Sequence, residues 1–269
     1  MKKSNGIIDK LSSSFPAFFA IVILISIVIP LPILIVDILI GLNLLFALII
    51  LLNVLYTSKT TKITLLPTFL LISSVFTLSI NISINRHILT KGADFDGWFI
   101  LTISNIFAGT GETAQLYIGF ILFIVILAIC IIILTKGCTR VAEAAARFTL
   151  DIMQVKLMAI ETEYSSGIIT EEEVKKQKAE VSLEVDFYGS LDGASKFIFG
   201  NAKLLFFMIF IIIIPAGILI DIFTRSAEIV DAIKTYIYLA IGSGIVFILP
   251  VFLISVAVGI AVTRLVYVD

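Results

Sequence analysis

A single histidine, two cysteines and 14% charged residues are a thin inventory for 269 residues, and each shortage excludes a class of function. One histidine, His87, cannot build a histidine-clustered metal site. Cys130 lies inside an apolar run and Cys138 just outside it, so neither belongs to a disulfide framework or a metal knuckle. No HExxH, P-loop or CxxC motif occurs, which argues against an enzyme. The net charge of −1, without a basic patch interleaved with aromatics, argues against nucleic acid as a partner. No cofactor is expected.

Apolar length is what the chain has instead. Hydrophobic residues make up 59% of it and its mean hydropathy is +1.15, so it reads as an all-α, polytopic integral membrane protein. Six segments reach the roughly 20 apolar residues that a span requires, at about 15–36, 38–56, 63–83, 115–135, 197–220 and 236–263. The N-terminus imitates a signal peptide, but "PLP" and a second apolar run follow it where a cleavage site would stand. It therefore reads as an uncleaved first span after a short N-terminal segment, 1–14. Pro30 and Pro32 mark a tight turn between the first two spans. The last segment carries "GSG" at 242–244 and Pro250, consistent with a kinked helix or two half-helices. "GWFILTISNIFAG", 97–109, is too short to span and reads as an interfacial or re-entrant helix; if such pieces are counted, the spans reach eight. Trp98 and tyrosines 56, 117, 236 and 238, near span ends, suit an aromatic belt. Lys203 begins a long uncharged run and is expected to snorkel to the interface.

Cationic residues orient the spans. With the N-terminus inside, fourteen lysines and arginines fall inside and four, Arg86, Lys91, Arg225 and Lys234, outside. Both termini and the 136–196 loop are then cytoplasmic. In that loop Arg140, Glu143, Arg147 and Asp151 fall within about 80° of arc at 3.6 residues per turn, with (i, i+4) pairing expected from Glu143 to Arg147 and on to Asp151. Such a stripe by itself also fits a solvated helix face. Further on, Ser165, Ser166 and Gly167 predict a turn, Thr170 with Glu173 a capping box, and Glu171–Lys175 and Glu172–Lys176 an exposed helix. The loop thus reads as two helical arms joined by a turn. Asp192 and Lys196 form another acid-to-lysine (i, i+4) pair at its far end.

The stretches "TKGCTRVAEAAARFTLDIMQVKLMAIE" and "EVDFYGSLDGASKF" resemble the signature of the FHIPEP family, the large export-gate subunit of flagellar and virulence type III secretion systems. "PLPILIVDILIGLNLLFALIILLNVLY", "LLPTFLLISSVFTLSINISINRHIL" and "PVFLISVAVGIAVTR" are similar to that family's membrane half, so the likeness runs from about residue 15 to 265. It implies a bacterial inner-membrane component of a homo-oligomeric, nonameric ring around an export channel, with other export-apparatus proteins and secreted proteins as partners. It also implies coupling of export to protons. The family's functional charges match Arg86, Arg140, Arg147, Asp151, Asp192 and Lys196. Three positions depart: an arginine in "LRLSLN" is Thr77 here, an acid in "RGDA" is Asn201, and an acid in "IGDG" is Ser243. The family's Pro-Gly turn in "MPGKQMAI" is absent from "MQVKLMAI", and where the family continues past the final "TR", 263–264, into a large C-terminal cytoplasmic domain, a short cytoplasmic tail, 264–269, is expected here. Asp151 and Asp192 remain as candidate relay acids, whereas Asn201 and Ser243 cannot titrate. Two other readings fit the residues. One is a structural, non-energising paralogue or truncated subunit. The other is a small-solute or ion transporter with Asn43, Asn53, Asn81 and Asn85 along a polar path, against which the lack of internal repeats counts.

Overall fold

The computed structural model describes residues 21–57, 65–109, 113–134 and 139–263, and the described residues are helical apart from short connections. Helix is the physical default here, because apolar surroundings offer backbone amides and carbonyls no partner but each other. Residues 21–28 are helical, and the chain breaks at 29–32, where Pro30 and Pro32 remove two donors. Pro32 is the N-cap of α1, Ile33–Tyr56. The turn between the first two expected spans therefore closes several residues earlier than the 36–38 boundary read from hydropathy.

α2, Leu66–Lys91, begins with proline in its first turn and ends at Gly92, whose φ of 58° suits a residue without Cβ. The short α3, Trp98–Ala108, and α4, Thr113–Ile132, follow. Asp37 of α1 caps α3 from a distance, its Oδ2 accepting from the Trp98 amide at 2.9 Å and its Oδ1 from the Phe99 amide at 3.4 Å. An acid inside a span thus anchors the 97–109 segment to α1.

α5, Thr139–Ser165, and α6, Glu171–Phe207, form an antiparallel hairpin turned at Gly167. The expected capping box is present, with Thr170 Oγ1 accepting from the Glu173 amide and the Glu173 carboxylate from the Thr170 amide. Lys156 Nζ–Glu184 Oε2 at 2.7 Å and Lys178 Nζ–Glu161 Oε1 at 3.0 Å set the hairpin register. Of the two expected helical pairs, Glu171–Lys175 forms at 2.7 Å. No ion pair joins Glu172 to Lys176 among the described residues.

The fifth expected span, 197–220, does not start a new helix. α6 runs into a π-helical segment, Met208–Ile213, and then into α7, Ile214–Arg225, so one helical rod covers Glu171–Arg225. Pro215, whose ring conflicts with the carbonyl one turn earlier, sits in the first turn of α7, and the wider π turn before it absorbs that conflict. At 1.5 Å per residue the rod is about 82 Å long, against about 30 Å of hydrocarbon, so the hairpin projects well beyond a bilayer.

α8, Ile229–Thr263, is one unbroken helix that contains Gly242, Gly244 and Pro250. The half-helix reading of the last span is thereby corrected. Gly242 and Gly244 act by size, not as joints. A Cβ on Gly242 would lie 2.4 Å from the Ile100 carbonyl oxygen of α3, and one on Gly244 would lie 2.4 Å from the Phe123 ring of α4. Among the described residues five helical segments are long and apolar enough to cross a membrane, and 67% of the apolar window of α8 is buried against 28% for α1, α4 and the α6–α7 rod. α8 is the post around which the others pack. Two hydrophobic cores stack along it. One around Leu191, Ile198 and Val258 lies at the hairpin end; the other, around Ile80, Phe123 and Phe247, lies at the far end.

The N-terminal part of the first expected span, Cys138 and Arg264 lie outside the described residues, as do 1–14 and 264–269.

A charged junction at the base of the hairpin

The (i, i+4) spacing of Asp192 and Lys196 on α6 delivers an ion pair, Lys196 Nζ to Asp192 Oδ2 at 2.7 Å. On α5, Arg147 Nη2 reaches Glu143 Oε1 at 2.6 Å. The hairpin register places these two pairs side by side. Lys156 faces Glu184 and Glu161 faces Lys178, and continuing that antiparallel count brings Glu143–Arg147 level with Asp192–Lys196. The electrostatics agree. The Lys196 ammonium is held above the ordinary lysine range chiefly by its hydrogen bond and attraction to Asp192; across the hairpin Glu143 raises it further and Arg147 opposes. Asp192 is mostly buried, and its second oxygen, Oδ1, is buried with no hydrogen-bond partner. Two expected charge clusters, 45 residues apart between Arg147 and Asp192 in sequence, therefore make one junction.

Other expected site residues lie apart from it. The expected second pair of the stripe does not form: no ion pair joins Arg147 to Asp151 among the described residues, and Asp151 and Arg140 are exposed. Arg147 reaches back one turn to Glu143 instead. Arg86 stands at the far end of α2 and donates to the carbonyls of Ile27 at 3.1 Å and Val28 at 3.4 Å. With His87, whose Nε2 lies 2.7 Å from the Leu31 carbonyl oxygen, it staples the proline turn. A cation on the last carbonyls of a helix is favoured by their unpaired oxygens and the helix dipole.

The three positions that depart from the family pattern are all buried: Thr77 and Ser243 at 1% exposure and Asn201 at 2%. Thr77 Oγ1 lies 3.1 Å from Asn43 Oδ1 and 2.9 Å from the Ser73 carbonyl oxygen. Asn201 Nδ2 donates to the Ser74 carbonyl at 3.0 Å. These two side chains, from α2 and α6, address successive carbonyls of one turn of α2. Ser243 turns back on the Ala240 carbonyl of α8.

One network escaped the sequence reading. Asp221 of α7, only 3% exposed, accepts from the Tyr236 hydroxyl at 2.9 Å and pairs with Arg225. Arg225 also donates to the carbonyls of Leu89 and Thr90, closing the C-terminus of α2. Asp221–Arg225 is another (i, i+4) acid-to-base pair, so its spacing was readable; its burial was not. Tyr236 is fully buried in this network and is no belt residue, whereas Tyr56 at 87% and Trp98 at 64% exposure remain outside. The expected polar path divides likewise: Asn43, Asn81 and Asn85 are buried, while Asn53 is exposed. Lys203 is exposed, its ammonium 4.1 Å from the centre of the Phe199 ring, one turn toward the hairpin.

A bundle of apolar helices wrapped on one central helix, with a charged helical hairpin projecting beyond the apolar layer, defines a multi-pass α-helical membrane protein. Residues 23–268 match the model of the FHIPEP family, and the chain belongs to that family. It is 44% identical over 253 residues to the flagellar biosynthesis protein FlhA of Treponema pallidum, covering 94% of this chain and 36% of that protein. The likeness to the protein of the same name from Borreliella burgdorferi is 46% over 237 residues, covering 88% and 34% respectively. For that of Bacillus subtilis it is 38% over 244 residues, covering 91% and 35%. The chain spans about a third of the length of these relatives. No solved structure matches it.

Proposed function

We propose that this chain is the membrane part of a flagellar or type III protein-export gate, lying in the bacterial inner membrane with its hairpin in the cytoplasm. The observation that carries this reading is the junction at the hairpin base. Glu143, Arg147, Asp192 and Lys196 converge from two helices, and the last three match charged positions of the family's motif. They do so where the rod leaves the apolar bundle. Copies of the chain assemble as a ring (nonameric by family resemblance) around the export channel, beside other membrane components of the apparatus, and secreted proteins are its cargo. The charged hairpins line the cytoplasmic mouth of that ring.

The junction also offers what proton coupling needs, a carboxylate beside cations in a partly dehydrated place. Asp192 has one oxygen on Lys196 and one without a donor. A proton arriving there removes the attraction that holds Lys196 and releases the hairpin base. Asp151 is exposed and would serve as an outer acceptor. A structural, non-energising role is favoured instead by one observation, the neutral and buried Thr77, Asn201 and Ser243.

One experiment separates the two. The membrane half of a flagellar relative is replaced by this chain, and export of a flagellar substrate is measured with and without a proton-gradient uncoupler. Export that collapses with the gradient and is lost in Asp192→Asn supports the relay. Export indifferent to both assigns the chain a scaffold role, and absence of export together with absence of the chain from purified export apparatus removes the gate reading.

A further inference from the structure

α2 carries a column of polar side chains into the centre of the bundle. Ser74, Thr77, Asn81 and Asn85, spaced three, four and four residues apart, share one face of the helix and are all buried. α1 contributes Asn43, α6 contributes Asn201, and the π-helical segment contributes Met208. The hydrogen bonds along this seam do not balance. Asn201 spends its amide donor on the Ser74 carbonyl, and Asn85 spends its own on Asn81 Oδ1 at 2.8 Å and on Met208 Sδ at 3.3 Å. Left over are Asn201 Oδ1, Asn85 Oδ1 and the Ser73 hydroxyl oxygen, all buried with no partner. The amide orientations are not interchangeable. A carbonyl oxygen from Ser74 and a thioether sulfur from Met208 both accept, so each must face an –NH2.

The seam therefore leaves hydrogen-bonding groups unmet at two levels, Ser73–Asn201 and Asn85, about 18 Å apart along α2. Two amide oxygens there need a donor, and the Ser73 hydroxyl can donate as well as accept, a mixed set that a small neutral donor–acceptor completes and an anion does not. A charge does not dominate the site. Asp221 is the one charged side chain in the buried set of described residues, and it is already engaged by Arg225 and Tyr236. We propose that the α2–α6 seam holds internal water at both levels, completing the hydrogen bonding of Ser73 and Asn201 at one and of Asn85 beside Met208 at the other. Buried water of this kind characteristically makes two to four bonds to polar groups that would otherwise be unsatisfied. Such a seam is a wet, uncharged interface between two helices that the hairpin base joins to the charged junction. The inference goes beyond the export-gate reading and does not depend on it.

The test uses the full chain in lipid nanodiscs, with hydroxyl radicals generated in place by X-ray radiolysis of water. Radicals formed from a bound water attack the nearest reactive side chain, so Met208, half-buried, reports on the Asn85 level. Expected is oxidation of Met208 within a few-fold of exposed Met158, falling at least threefold in Asn85→Leu while Met158 is unchanged. Met208 oxidation that is absent, or equal in the variant, overturns the proposal. Ser73→Ala tests the other level and leaves the backbone undisturbed if Asn85→Leu fails to fold. A dry, unpartnered hydroxyl makes alanine raise the thermal midpoint; a bound water that loses its partner makes alanine lower it, which is the expected sign. Both measurements are repeated with sodium replaced by choline. Results independent of sodium support water, and results that require sodium identify a metal cation and overturn the assignment.

Discussion

At the scale of single residues, the charges divide by environment. Glu143–Arg147 is an exposed pair, with the arginine side chain 75% accessible, and exposed helical pairs of this kind contribute only about 0.3–0.5 kcal/mol. Arg147→Glu should therefore shift the thermal midpoint little while reversing the field at Asp192 and Lys196. Measured against an unfolding scan, export in the chimera should fall at least tenfold; unchanged export would return the stripe to a solvated face. The Lys196–Asp192 pair has a defined sign with pH. Because Lys196 titrates above its ordinary value, the lysine's share of the pair is fully present below the ordinary lysine range and is lost as pH rises through the raised value. Any change in hairpin protection across neutral pH must then come from acids, not from Lys196, and hydrogen exchange in Asp192→Asn is the measurement that checks it.

Asn201 and Ser243 make the opposite case. An aspartate placed at either buried site carries a cost of about 2.5–3.5 kcal/mol on insertion scales. If relatives use acids there for coupling, Asn201→Asp with Ser243→Asp should raise proton-linked export in the chimera despite lowered stability. Asn201 and Thr77 address neighbouring carbonyls of α2, so restoring the acid alone leaves it without the arginine that the family pattern puts at 77. Adding Thr77→Arg is expected to recover part of the lost stability, since removing one member of a buried pair costs more than removing both. A triple variant less stable than the double would sink that pairing.

At the scale of elements, caps and close contacts decide where helices stop and how near they come. The Glu173 carboxylate is held below the ordinary glutamate range by the Thr170 amide first and its hydroxyl second. Its contribution is thus present above the ordinary value and lost as pH falls through the depressed one, and the first turn of α6 should lose exchange protection only in acid. Thr170→Ala should cost about 1 kcal/mol of local stability and fray the same turn at neutral pH. The glycines of α8 act through space instead. Gly242→Ala meets a backbone oxygen at 2.4 Å that cannot rotate away, so α3 or α8 must shift, at a cost of about 1–3 kcal/mol. Gly200→Ala on α6, with nothing within 4 Å, should be neutral or stabilising. Thermal midpoints of the two variants in one detergent compare them directly.

At the scale of the whole molecule, orientation is a matter of charge bias, and fourteen cationic residues against four predict a cytoplasmic hairpin. Reporters fused at Ser166 and after Arg264 should read cytoplasm, and one near Ala93 should read the opposite side. A Ser166 reporter outside would invert every other assignment. The same scale shows why some of the fold was legible and some was not. Apolar length and proline placement marked where helices lie, because those depend on each segment's own transfer energy. The register of the hairpin and the burial of Asp221 depend on which helix faces which, and no local pattern encodes that.

The amino-acid sequence alone determined the membrane class, the helical hairpin with its capping box, the family and the residues of the charged junction. Each follows from composition, short-range spacing or a long matching motif, which are properties of contiguous chain. The tertiary structure alone decided that Glu143–Arg147 and Asp192–Lys196 meet, that Arg147 forsakes Asp151, that the 242–244 glycines serve contact instead of flexibility, and that an aspartate and a tyrosine near span ends close a helix inside the bundle. The physical reason is the same in each case. A buried side chain's worth depends on its neighbours across helices, and those neighbours are chosen by packing around α8, not by position along the chain.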